Sequence, residues 1–342
     1  MPSNKKIKIV LIIILFLVIG FYYLKIKNFS VDFNRDIFWG VTFSSKFSKE
    51  LNSDWQKNFE TVLNDLRPKK VRVVAYWDEI GAAENNFNFS DLDWQINELQ
   101  SRGTETILVV GMKVPRWPEC HLPDWAKSLA VEERENKLQE YIGKTVERYK
   151  DYDIIKAWQI ENEPFLPFGV CPERGKNFVP NEISLVKKND PERPIIITDG
   201  GEFGLWYKAV RYGDIFGTTM YRRVYNNFFG YIDYHLPPHF FILKEKIIRF
   251  LLGDYNKKFI VIELATEPWL DKRLGEASIN EQFKFFDLEF FKNTIEYAKT
   301  IGFGEYYLWG AEWWYYLKVN GYPEIWEEAK KLTNSWQNIL SE

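Results

Sequence analysis

The chain has 342 residues and a mass of 40.8 kDa, enough for one large domain, and a barrel of about 250 residues with insertions fits within it. A net charge of −3 and a pI near 5.9 leave no basic footprint, which excludes nucleic acid as a partner. The three histidines, His121, His235 and His239, are scattered, and Cys120 and Cys171 stand in no metal-ligand spacing, so the expectation is no metal, no cofactor and chemistry resting on carboxylates.

The first element is apolar. Lys5, Lys6 and Lys8 precede an almost unbroken hydrophobic run over 9–24, closed by Lys25 and Lys27. As helix the run reaches roughly 24 Å, slightly short of the ~30 Å hydrocarbon core, and snorkelling lysines at both ends cover the deficit. A basic stretch followed by an apolar one is also the pattern of a signal peptide, yet no small-x-small cleavage site follows. The expectation is a signal anchor or transmembrane segment over 1–28, with the rest of the chain outside the cytoplasm; cleavage would instead give a secreted protein. The domain that follows, 29–342, opens with a short linker over 29–35.

Beyond it, strand-like and helix-like segments alternate. Apolar runs predict strands over 37–43, 70–77, 104–112, 154–161, 194–198, 215–221, 259–263 and 305–309. Helical patterns occupy 54–66, 91–102, 132–150, 182–189, 206–213, 241–253, 280–301 and 323–332. Ser90 and Ser278 are N-cap candidates, the latter with Glu281 three residues on, and Gly103 follows a helix end. Eight such alternations predict an α/β fold, a (β/α)8 TIM barrel, although alternation alone also permits an open doubly wound sheet. No Gly-rich phosphate loop follows the first strand, and a monomer is expected.

Two strand ends carry the chemistry. Ala157-Trp158-Gln159-Ile160-Glu161-Asn162-Glu163-Pro164 and Phe259-Ile260-Val261-Ile262-Glu263-Leu264 are short apolar runs that each end in a carboxylate, the position at which α/β barrels keep their reactive groups. Glu161 competes with Glu163 in the first motif, and Glu267 competes with Glu263 in the second. Arg72, in Val71-Arg72-Val73-Val74, is a charge inside an apolar strand, so it needs a buried partner.

The Asn162-Glu163-Pro164 triplet resembles the acid/base signature of the clan A glycoside hydrolases, the retaining barrel enzymes that include the cellulase-like family 5, and the second segment resembles their nucleophile strand. The resemblance spans about 37–335. It implies that Glu163 protonates the leaving glycosidic oxygen while Glu263 attacks the anomeric carbon to give a covalent glycosyl-enzyme. It further implies that Arg72 holds the nucleophile ionised, Asn162 bonds the substrate 2-hydroxyl, Tyr221 donates to the nucleophile and Trp309 floors the sugar subsite. Trp77, Trp313 and Trp314 would line further subsites, and Lys113, Trp117 and Glu119 are candidate substrate contacts. Family 5 members carry a histidine two residues before the tyrosine, where this chain has Thr219, and the third strand ends in Gly111-Met112-Lys113 without a histidine. The function implied is hydrolysis of a β-linked poly- or oligosaccharide by double displacement. A catalytically silent glycan-binding barrel at the cell surface and a transglycosylase are the alternatives. Cys120 and Cys171 fall in the loops after the third and fourth strands, where either a disulfide or two buried thiols would fit.

Overall fold

The computed structural model describes residues 36–226 and 228–334. The expected anchor over 1–28 lies outside them, and among the described residues no helix is long and apolar enough to cross a membrane.

The strands form in chain order as β1 Phe38–Thr42, β2 Lys70–Val74, β3 Glu105–Val110, β4 Ile155–Ile160, β5 Ile195–Asp199, β6 Ile215–Met220, β7 Arg223–Asn226, β8 Gly230–Asp233, β9 Lys258–Ala265 and β10 Glu305–Trp309. Eight of them close into a parallel barrel in the order β1-β10-β9-β6-β5-β4-β3-β2, while β7 and β8 form a separate antiparallel hairpin. Closure settles the alternative that alternation left open, because β1 pairs with both β2 and β10 and leaves no edge. The barrel strands are near-continuous apolar runs because both of their faces are covered. Alternate residues take opposite sides. Ile107, Ala157, Ile196, Ile260, Ile262 and Tyr307 pack together inside the ring, while Val71, Leu108, Trp158, Ile197, Val261 and Tyr306 join the larger layer beneath the helices.

Boundaries follow local chemistry. The strand predicted over 70–77 stops at Val74, since Trp77–Ile80 turns into helix, whereas the one predicted over 259–263 runs on to Ala265. The helix expected over 280–301 is two, Ile279–Phe283 and Leu288–Lys299, because the Asp287 side chain accepts the Phe290 N–H and starts a new helix. Ser278 caps as expected by accepting from the Glu281 N–H, but Ser90 lies inside its helix and Asn88 accepts the Ser90 N–H instead. Helices Ser45–Glu50 and Ala311–Val319 and the β7–β8 hairpin have no counterpart in the predicted elements. The two helices are short insertions in the mouth-side loops after β1 and β10.

Candidate active site

The C-terminal ends of the barrel strands bring together residues far apart in sequence. Glu263 lies within β9, opposite Thr219 of β6 in register, and is almost fully buried. Arg72 Nη1 donates to Glu263 Oε1 at 2.7 Å, and the Tyr221 hydroxyl donates to Oε2 at 3.0 Å. The rest of the Arg72 guanidinium is used as well: Nε donates to Gln159 Oε1 at 2.8 Å and Nη2 to Asn162 Oδ1 at 3.0 Å. A wholly buried arginine thus has every direction satisfied, as burial of its charge requires.

Glu163 sits differently. β4 ends at Ile160, and Glu161 and Glu163 then take left-handed backbone conformations with φ of +59° and +44°. Strand alternation therefore no longer decides which way each points. The turn is held by the Thr198 hydroxyl, which accepts the Glu163 N–H at 2.7 Å, and by Lys113 Nζ, which donates to the Glu163 and Leu166 carbonyls. Thr219, at the position of the missing histidine, places its hydroxyl 3.1 Å from Glu163 Oε1 and accepts the Gly201 N–H. Among the described residues no cation pairs with the Glu163 carboxyl. Burial first, then the neighbouring charges of Glu263 and Glu119, push that carboxyl well above the usual carboxylate range, against the weaker pull of Lys113 and Thr219.

Glu161 is accounted for by structure. Its oxygens accept the Met112 and Lys113 N–H groups, both at 2.8 Å, and pair with Arg174 at 2.7 Å. Gly111 is required there, since its φ is +138° and an added Cβ would lie 2.6 Å from Glu161 Oε1. Glu267 is likewise engaged: it forms an ion pair with Arg116, which also reaches Glu312 at 3.0 Å. Burial outweighs Arg116 and pushes the Glu267 carboxyl up to about 7.

Three of the expected subsite tryptophans are core residues. Trp77 is fully buried against Trp125 and Tyr141, Trp313 donates to Gln282 Oε1, and Trp314 donates to the Thr266 carbonyl. Their helices turn these rings into the layer between barrel and helices rather than toward the mouth. Trp309 does sit at the mouth, paired with Thr42 in register, with the Arg116 guanidinium 4.0 Å from its ring centroid. Lys113 is spent on backbone carbonyls, whereas Trp117 is 61% exposed at the rim. Glu119 is buried, accepts from Asn162 Nδ2 at 3.3 Å, and is pushed up to about 8 by burial and then by the Glu263 charge. Asn162 thus shares its amide between Arg72 and Glu119. Cys120 and Cys171 form a disulfide joining the loops after β3 and β4.

Arg116, Gln159, Thr198 and Glu312 were not singled out from the sequence. Gln159 offered a signal, a polar side chain in a buried strand two residues from Glu161. Arg116 offered none, lying in an aperiodic loop.

No family model matches this sequence, and no curated protein does. Solved structures do. A β-galactosidase from the psychrophilic Marinomonas ef1 superposes with a TM-score of 0.57 at 11% identity, over 89% of this chain and 60% of that one. Xylanase 10B from Thermotoga petrophila RKU-1, in complex with xylobiose, gives 0.53 at 16% identity over 80% and 82%. A GH5_18 enzyme from Streptomyces cattleya in complex with Manb1-4GlcNAc gives 0.53 at 12% over 80% and 71%. The chain shares their barrel fold. It spans 60% of the length of the Marinomonas β-galactosidase.

Proposed function

We propose that this protein is a retaining glycoside hydrolase that cleaves a β-linked poly- or oligosaccharide by double displacement. The observation that carries the reading is the unequal treatment of two buried carboxyls at one barrel mouth. Glu263 is bonded by a guanidinium and a phenol, while Glu163 pairs with no cation among the described residues and is held toward its neutral form. Separated environments of this kind sort an acid from a nucleophile. In the first step Glu163 protonates the departing oxygen as Glu263 Oε attacks the anomeric carbon; the aglycone leaves as an alcohol and the sugar stays esterified to Glu263. In the second, ionised Glu163 takes a proton from water, whose oxygen attacks the same carbon and frees Glu263. Arg72 and Tyr221 hold and aim the nucleophile, and Asn162 serves the 2-hydroxyl through its amide. Trp309 closes the far side of the sugar site. No step calls for a cofactor.

Because Glu163 must be protonated at the start, activity is expected to persist at lower pH and to fall as pH rises through its raised pKa. Full-length protein assayed on p-nitrophenyl β-glycosides should lose at least about 1,000-fold in kcat on either Glu163→Gln or Glu263→Gln, without loss of folding. Substantial turnover by either variant would defeat the assignment. Transfer of the sugar to an added acceptor in place of water, seen by product analysis, would mark a transglycosylase; sugar binding without turnover would mark the silent barrel.

We also propose that residues 1–28 anchor the protein in a membrane with the barrel on the extracytoplasmic side. The Cys120–Cys171 disulfide supports this, since such bonds persist in oxidising compartments. Fractionation of cells making the full chain tests it: recovery in the soluble cytoplasmic fraction would overturn it.

A further inference from the structure

The site described above has two sides, and they are built differently. This inference rests on the assignment of Glu163 and Glu263 as acid and nucleophile. The acid stands beside the oxygen being cleaved and the nucleophile beneath the anomeric carbon, so the sugar that the enzyme retains extends from Glu263 away from Glu163. The barrel order puts β10 four strands from β4, directly across the ring. The retained sugar therefore lies toward β10 and β1, and the leaving portion lies beyond Glu163, over β3 and β4.

The β10–β1 sector is filled. Arg116 reaches into it from the loop after β3, with its guanidinium 3.6 Å from the ring centroid of Phe47 and 4.0 Å from that of Trp309. Sandwiched between the two rings, the guanidinium pairs with Glu267 from the loop after β9 and, at 3.0 Å, with Glu312 from the helix after β10. Glu312 in turn accepts the Ser44 N–H from the loop after β1. Elements following four different strands are thus tied across this half of the mouth, and the Arg116, Glu267 and Glu312 side chains are all more than nine-tenths buried.

The loop that delivers Arg116 is fastened. Lys113 and Cys120 pair as an antiparallel bridge, the Val114 N–H donates to the Glu119 carbonyl and the Glu119 N–H to the Arg116 carbonyl, each at 2.8 Å. Below the tip, the Cys120–Cys171 disulfide binds the loop to its neighbour after β4. A second sugar on this side would have to displace a stacked arginine and strand two buried carboxylates without their cation. Among the described residues the leaving side has no such plug: Trp117 is 61% exposed and packs against partly exposed Phe168 from the loop after β4.

We propose that the Arg116–Glu267–Glu312 cluster ends the retained-sugar side of the site after one residue, so that the enzyme is exo-acting and releases single sugars from the non-reducing end of a β-linked glycan. The bond cleaved is the terminal glycosidic bond; water supplies the hydroxyl to the freed sugar and a proton to the shortened chain.

The test uses full-length protein and paired probes, the p-nitrophenyl β-glycosides of glucose, galactose, mannose and xylose with their β-1,4-linked disaccharide counterparts, and identifies the first product by chromatography. The expected first products from a disaccharide probe are the free monosaccharide and the p-nitrophenyl monosaccharide. Free disaccharide as first product, in a reaction that Glu163→Gln abolishes, would overturn the one-sugar limit and leave the glycosidase assignment standing. No turnover of any probe would overturn both. The paired change Arg116→Ala with Glu267→Gln removes the plug while limiting unmatched charge, and it should raise disaccharide release at least about tenfold relative to monosaccharide release. An unchanged product ratio in a folded double variant would remove this cluster from the account; if that variant does not fold, the wild-type product pattern decides.

Discussion

The two ends of the barrel handle buried carboxylates in opposite ways. At the N-terminal rim, opposite charges pair around the strand starts: Lys156 beside Glu105 at 3.8 Å, Glu105 beside Lys70 at 3.6 Å, Lys70 across β1 to Glu305 at 3.3 Å, and Lys258 against the other Glu305 oxygen. Burial alone would raise the Glu305 carboxyl, but the two lysines and the Tyr307 hydroxyl outweigh it and hold it below the usual range. At the C-terminal mouth, burial wins over the available cations for Glu163, Glu119, Glu267 and Glu312, and all four are raised. The rim neutralises its charges and contributes stability. The mouth leaves acids short of counter-charge, which costs stability and holds protons on them.

The contrast breaks most severely if Glu263, paired with Arg72 at the mouth, loses its partner. Arg72→Met should leave Glu263 buried and unpaired, lowering stability by about 3–5 kcal/mol in urea denaturation and abolishing aryl-glycoside turnover. A loss under about 1 kcal/mol would mean the mouth tolerates its charges without compensation. Tyr221→Phe removes a single donor to the proposed nucleophile; kcat should fall by about 100-fold, with stability changed by no more than about 1.5 kcal/mol. A change in stability with normal kcat would make the phenol merely structural.

Glu305→Gln probes the rim. A carboxyl whose folded pKa is depressed contributes stability above its unfolded value near 4.5, and that contribution is lost as pH falls through the folded value. The variant should therefore be less stable by about 1–2 kcal/mol at pH 7, converge on the wild type in acid, and keep full activity. Glu119→Gln is the mouth counterpart with the opposite sign. Its folded pKa of about 8 lies above the ordinary 4.5, so the folded state holds the extra proton and wild-type stability declines as pH rises between those values. The variant should gain in melting temperature relative to wild type from pH 5 to pH 9; a constant difference across that range would show that Glu119 is not held neutral.

Much of this arrangement was legible in the chain. Eight apolar runs gave the barrel strands to within a few residues, because residues that face core on both sides must be apolar whatever their neighbours are. Glu163, Glu263 and Arg72 could be picked out because a charged group in or at the end of such a run stands against its background, Asn162 and Tyr221 only through the family resemblance, and the fold brings the five within hydrogen-bonding reach of one another or of shared partners. Trp77, Trp313 and Trp314 misled for the converse reason. A tryptophan near a strand end suits a sugar or a core equally, and only the path of the following helix decides which it meets. The break at Asp287 was hidden by the continuous helical pattern around it, and Arg116 by the lack of any pattern.

The sequence by itself determined that strands and helices alternate and that carboxylates stand at the ends of two apolar runs, since periodicity and polarity are properties of neighbours along the chain. Only the tertiary structure decided which carboxylate received a cation. Arg72 and Glu263 are 191 residues apart in sequence and 2.7 Å apart in space, while Glu163 meets a threonine hydroxyl and two other acids. Ionisation follows burial and through-space charge, and barrel closure sets both.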